Sequence, residues 1–219
     1  AGGTVPTRSG ELSRVSIHTP VCDLFGIEHP VLLAPMAGVS GGALAAAVSR
    51  AGGLGLIGGG YGDADWLARE FDAAGDARIG VGFITWSLAR QPHLLDLVLE
   101  RTPAALMLSF GDFQPFLGRI RDRQTKLIVQ VQTLDQASEA VDVGVDAIVA
   151  QGTEAGGHGG TRATLPFVPA VVSDNPLGKK ISDLRSSSGP RIGGSFVRGP
   201  SAFGVQSGMC LPWGANRKA

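Results

Sequence analysis

The chain has 219 residues, a formal net charge of zero and 43% hydrophobic residues. That length accommodates one domain with a sizeable core, the hydrophobic content excludes a disordered chain, and the neutral balance gives no footing for a nucleic-acid partner. No run approaches the ~18 apolar residues of a membrane span, and Cys22 and Cys210 stand in no CxxC or Cys/His cluster, so no metal site is expected.

Residues 1–16 show no periodicity and read as a loose arm, and 17–29 are expected to cap the bottom of the fold. From residue 31 short apolar runs recur at 31–36, 54–59, 78–84, 105–110, 126–132 and 147–152, with starts 23, 24, 27, 21 and 21 residues apart. The runs are nearly continuous rather than alternating, which means burial on both faces. Helix-like segments separate them. Ser40, Asp63 and Thr133 are N-cap residue types, and Gly52, Gly75 and Gly144 stand where left-handed C-caps are wanted. Regular strand–helix repeats of this length predict parallel βα units. The fold class is therefore α/β. A (β/α)8 TIM barrel fits better than an open doubly wound sheet, because the repeat is regular and polar or glycine residues gather at the strand C-terminal ends.

Residues 174–219 differ. They hold 19 Gly, Pro or Ser in 46 residues and no apolar run of strand length. They also carry a charge of +5 against −5 for 1–173. The expected organisation is a partial barrel over 17–173, about six βα units, and an irregular tail over 174–219. An unclosed barrel leaves the strands at 31–36 and 147–152 as open edges, so poor stability and self-association through those edges are expected.

Three motifs carry the chemistry. GLGLIG, Gly53 to Gly58, matches G-x-G-x-x-G, but its glycines fall inside the apolar run and open no helix, so a Rossmann nucleotide site is rejected. In LLAPMAG, residues 32–38, Pro35 breaks the hydrogen-bond ladder and leaves the backbone of Ala34 and Met36 open to a planar ligand. In AQGTEAGGHGG, residues 150–160, Gln151 ends a strand and glycines 152, 156, 157, 159 and 160 let backbone approach a ligand closely. His158 is then carried into the mouth, where an imidazole suits general-base work near neutral pH. Glu154, four residues before it, can orient the imidazole or be solvated. His18, His29 and His93 read as structural or solvated.

Taken together, HPVLLAPMAGVSGGALAAAVSRAGGLGLIGGG, IGVGFI and AQGTEAGGHGG resemble the nitronate monooxygenase family, formerly the 2-nitropropane dioxygenases, over about residues 23–173. The resemblance implies an enzyme with a (β/α)8 barrel and non-covalent FMN at its C-terminal mouth, oxidising alkyl nitronates such as propionate 3-nitronate with O2. It implies that Ala34, Pro35, Met36, Gly82, Gln151, Gly156 and Gly157 contact FMN and that His158 is the catalytic base. No nucleic-acid or membrane partner is implied, and the cytoplasm is the default compartment. Two departures stand out. Gly82 occupies a position where many members carry Asn. The Gly-Gly and Gly-Thr turns that end the family's seventh and eighth strands and bind the FMN phosphate are not visible in 174–219. The alternatives are an NAD(P)H-dependent flavin reductase of the enoyl-ACP reductase type, or a catalytically inactive truncated product.

Overall fold

The computed structural model describes residues 17–173 and, as backbone, the strand at 208–212. Five strands lie parallel and in chain order: β1 (Gly55–Gly60), β2 (Ile79–Ile84), β3 (Ala105–Ser109), β4 (Lys126–Val131) and β5 (Ala147–Gln151). They form the wall of a (β/α)8-type barrel. Before β1 comes α2 (Gly42–Arg50), and between the strands run α3 (Ala64–Ala74), α4 (Thr85–Leu88), α5 (His93–Glu100), α6 (Leu117–Asp122) and α7 (Leu134–Asp142). A final helix, α8 (Thr164–Ser173), follows the glycine-rich loop. No helix among the described residues is long and apolar enough to cross a membrane.

Strand alternation divides the core in two. Ile57, Val81, Leu106, Leu108, Val129 and Ile148 face outward and pack under the helices. Leu54, Leu56, Ala105, Met107, Ile128 and Ala147 face inward and form a second, smaller cluster. The short helix α1 (Pro20–Phe25) closes that inner cluster from below with Val21 and Phe25, both fully buried. Burial on both faces is what made the strands read as unbroken apolar runs.

Register sets what lies above this floor. Gly58, Gly82, Met107, Ile128 and Ala147 form one inward row across the five strands. One pleat higher stand Ile84, Ser109, Gln130 and Val149. The inner face thus changes from apolar to polar toward the strand C-terminal ends, and on β1 and β2 the lower row is glycine.

Three expectations need correction. The run at 31–36 does not form a full strand. It makes a single parallel bridge, Leu32 with Leu54, held by Leu33 N–H to Leu54 O and Leu54 N–H to Val31 O, each 2.9 Å. Pro30 and Pro35 bracket it and donate no ladder hydrogen bonds. Ser40 caps no helix: the N-cap of α2 is Gly41, while the Ser40 hydroxyl accepts the Met36 N–H at 2.5 Å and donates to Met36 O at 3.1 Å. Finally, the edge of β5 is not open. A strand β6 (Gly208–Pro212) pairs with it antiparallel, from Ala147 opposite Pro212 to Gln151 opposite Gly208. The arm at 1–16 and the rest of 174–219 lie outside the described residues.

Other local signals match. Asp63 caps α3 by accepting Trp66 N–H at 2.8 Å, and Thr133 with Gln136 forms a capping box on α7.

Candidate active site at the C-terminal mouth

A cavity of about 330 Å³ opens where the strands end. The eight residues that the resemblance assigns to the site all line it, Ala34, Pro35 and Met36 on one side, Gly82 on β2, Gln151 at the tip of β5, and Gly156, Gly157 and His158 on the loop that follows, whereas Gly152, Gly159 and Gly160 do not.

The floor is shaped by close approach. A Cβ built on Gly82 would overlap the Pro35 ring, and one on Gly58 would overlap the Met36 backbone. These two glycines let the segment 34–36 lie across the tops of β1 and β2. The loop glycines act differently. Gly156 and Gly157 have nothing within 4 Å of a built Cβ, so they leave open space.

Gln151 is buried, 6% exposed, and fixed by its neighbours. Its Oε1 accepts from Gln130 Nε2 at 3.0 Å and from Gln132 Nε2 at 2.6 Å. With the carbonyl doubly occupied, the Gln151 amide N–H groups have no hydrogen-bond acceptor among the described residues and are available to a ligand.

His158 is exposed and makes no hydrogen bond among the described residues. Its ring packs against Phe110, with centroids 5.3 Å apart at 47°. Phe110 holds a left-handed conformation, φ 61°, which costs a non-glycine residue energy and is concentrated at functional sites. Glu154 does not orient His158. Its carboxylate accepts the Thr164 N–H at 2.8 Å and the Thr164 hydroxyl at 2.7 Å, tying the loop to the start of α8. The Thr164 backbone and hydroxyl donors hold the Glu154 carboxyl below the usual carboxylate range. The other histidines stay outside the cavity: His18 bonds Asp23 at 2.9 Å, His29 lies 3.7 Å from Glu28, and His93 begins α5.

Sequence reading did not find Tyr61, Ile84, Ser109 or Phe110, which also line the cavity. Ser109 and Gln130 close apolar strands, a position that marks the ligand face of a barrel. Phe110 and Tyr61 gave no such signal, because an aromatic residue after a strand reads as core. Among the described residues the lining contains no Lys, Arg, Asp or Glu. Among the described residues no group of three or more His, Cys, Asp or Glu stands close enough to hold a metal ion.

The arrangement offers a neutral, half-apolar slot with a backbone wall, one oriented amide donor and one imidazole. The nitronate monooxygenase family model matches residues 18–78. A nitronate monooxygenase of Paraburkholderia phytofirmans is 32% identical over 178 residues, covering 63% of this chain and 49% of the relative. A hydroxy-methyl-oxo-octahydroindene-carboxyl-CoA dehydrogenase of Mycobacterium tuberculosis is 30% identical, covering 71% and 44%. Among solved structures, FabK from Thermotoga maritima superimposes with a TM-score of 0.66 at 32% identity, covering 72% of this chain and 51% of that one. The chain spans about half the length of the curated relatives it matches.

Proposed function

We propose that this relative of the nitronate monooxygenase family is an oxidoreductase that binds FMN in the mouth cavity and oxidises alkyl nitronates with O2. The observation that carries the reading is convergence. Residues picked from three separate sequence motifs surround one cavity of a size typical for small-molecule sites, about 300–1,000 Å³.

The residues present fit a flavin ring. Among the described residues no Lys, Arg, Asp or Glu lines the slot, Gly156 and Gly157 leave open space beside it, and the backbone of Ala34 to Met36 offers a flat wall. Gln151 would donate its free N–H groups to acceptors on the ring edge. Loop N–H groups at 156–160 are donors for the phosphate end, since among the described residues no Lys or Arg lines the cavity. When bound, FMN supplies the two-electron acceptor that O2 restores. His158 binds the nitronate oxygens, or takes the α-proton of a neutral nitroalkane, and Phe110 fixes the ring that does so. Positioned acid–base groups of this kind contribute ~10²–10⁴-fold.

The test is to add FMN to the purified chain, desalt it, record the visible flavin spectrum, and assay propionate 3-nitronate. Retained flavin and nitronate-dependent O2 uptake are expected. In His158→Ala, uptake should fall about 10²–10⁴-fold with flavin retention unchanged. A colourless protein, or a His158→Ala variant as active as the parent, overturns the reading. The dehydrogenase among the relatives favours one second reading, a flavin reductase fed by NAD(P)H. Nitronate oxidation without NAD(P)H consumption separates the two.

A further inference from the structure

The rim of the mouth carries an aromatic ledge that the cavity floor and His158 do not account for. Tyr61 follows β1 between Gly60 (φ 51°) and Gly62 (φ 90°). Its carbonyl accepts from the Ser87 hydroxyl at 2.7 Å and the Gln91 amide at 3.0 Å. A Cβ at 62 would come within 2.5 Å of Leu94. The turn is therefore built to one shape, yet the ring it presents is 53% exposed at the cavity mouth.

Trp86, 41% exposed, lies beside it with ring centroids 5.7 Å apart. The Trp86 backbone N–H donates to the Phe110 carbonyl at 3.2 Å, which ties the ledge to the residue that packs on His158. Arg90, one helical turn beyond Trp86, holds its guanidinium 5.0 Å from that ring's centroid. It has no carboxylate within ion-pair distance among the described residues.

Exposed aromatic rings beside an unpaired guanidinium suit a flat base that carries phosphate. The base stacks on ring or guanidinium planes, and the guanidinium edge donates paired N–H groups to phosphate oxygens. The ledge is also far from the reacting end. Trp86 and Arg90 follow β2 and His158 follows β5, three strand spacings apart, on the order of 10–14 Å across a curved sheet. A short alkyl nitronate cannot touch both.

We propose that Tyr61, Trp86 and Arg90 form a subsite for the adenosine-phosphate end of a long substrate or reductant whose reacting end lies beside His158. The inference rests on reading the cavity as the reaction site, and it requires neither a nitronate nor bound flavin. Coenzyme A thioesters and nicotinamide dinucleotides share that end.

The experiment is a tryptophan-fluorescence titration of the flavin-free chain with ADP. Saturable quenching is expected, with adenosine binding about tenfold more weakly than ADP and Arg90→Gln losing about tenfold in ADP affinity, the scale of one charge-assisted hydrogen bond. Calorimetry with Trp86→Leu, which lacks the reporting ring, should show the same direction of loss. Arg90 is exposed, so its replacement leaves the fold intact. Coenzyme A competing better than NADH assigns the tail to a thioester, and the reverse assigns it to a dinucleotide. Absence of saturable ADP binding, equal binding by Arg90→Gln, or competition by inorganic phosphate as strong as by ADP overturns the proposal. A colourless chain that still binds ADP through Arg90 overturns the flavin reading alone. A flavin-retaining chain active on nitronate that binds no ADP overturns this one alone.

Discussion

Gly82 and Gly156 are both lining glycines, but the structure uses them for opposite reasons. A methyl at 82 would overlap the Pro35 ring, whereas one at 156 would meet nothing within 4 Å. Replacing Gly82 with Ala therefore pushes on the 34–36 segment that forms one wall of the slot. Overpacking of this kind costs about 1–3 kcal/mol, and urea denaturation should register it, together with a roughly tenfold weaker FMN affinity if the wall shifts. Gly156→Ala should leave stability within ~0.5 kcal/mol, as an open surface site does. Any loss of FMN binding it causes then comes from the ligand side alone. Equal stability of Gly82→Ala and the parent would show that Pro35 yields freely and that the wall is not fixed by this contact.

At the scale of elements, the glycine-rich loop is anchored by Glu154, which satisfies the N–H and hydroxyl of Thr164 as α8 begins. Because those donors hold the folded-state pKa of Glu154 below its unfolded value, its contribution to stability is present above the ordinary carboxylate range. It is lost as pH falls through the depressed folded value. Asp96 behaves alike, held down chiefly by its hydrogen bond from Arg119. The melting temperature of the parent should fall between pH 5 and pH 3. Glu154→Gln should melt lower at pH 7 and lose less over the acid range, and an identical pH profile for both would rule out this anchor. The same loop shows what the sequence makes legible. Its glycines and histidine could be read because few other residues permit such a path, and β1 to β5 could be read because two-sided burial leaves an unbroken apolar run. The segment at 31–36 looked the same by composition, yet two prolines reduce it to one bridge. The roles of Ser40 and Glu154 were misjudged or left open because each residue type suits several local partners, and only the fold selects one. Tyr61, Trp86 and Phe110 were hidden because exposure of an aromatic ring depends on a turn, not on residue type.

At the scale of the whole molecule, the sheet must deal with its edges. Five parallel strands that do not close present β5 as a row of unpaired backbone groups, which invites pairing with another chain. In this fold Gly208–Pro212 takes that edge antiparallel. No sequence signal announced it, because a five-residue Gly- and Pro-bounded run has little strand propensity of its own and is specified by the edge it meets. Among the described residues the opposite edge, beside β1, is covered only by the bridge at Leu32. If β6 shields β5, amide exchange at 147–151 is slow in the full chain, with protection that local opening alone does not remove. Deleting 208–219 should expose those amides and produce concentration-dependent association in sedimentation experiments, while β2 and β3, flanked by strands on both sides, keep their protection. Fast exchange at 147–151 in the full chain would mean that the edge is open in solution. A deletion variant that stays monomeric with unchanged exchange would mean that something other than β6 covers β5. Slow exchange lost on deletion would assign the protection of the β5 edge to this late strand, which is the only described part of 174–219.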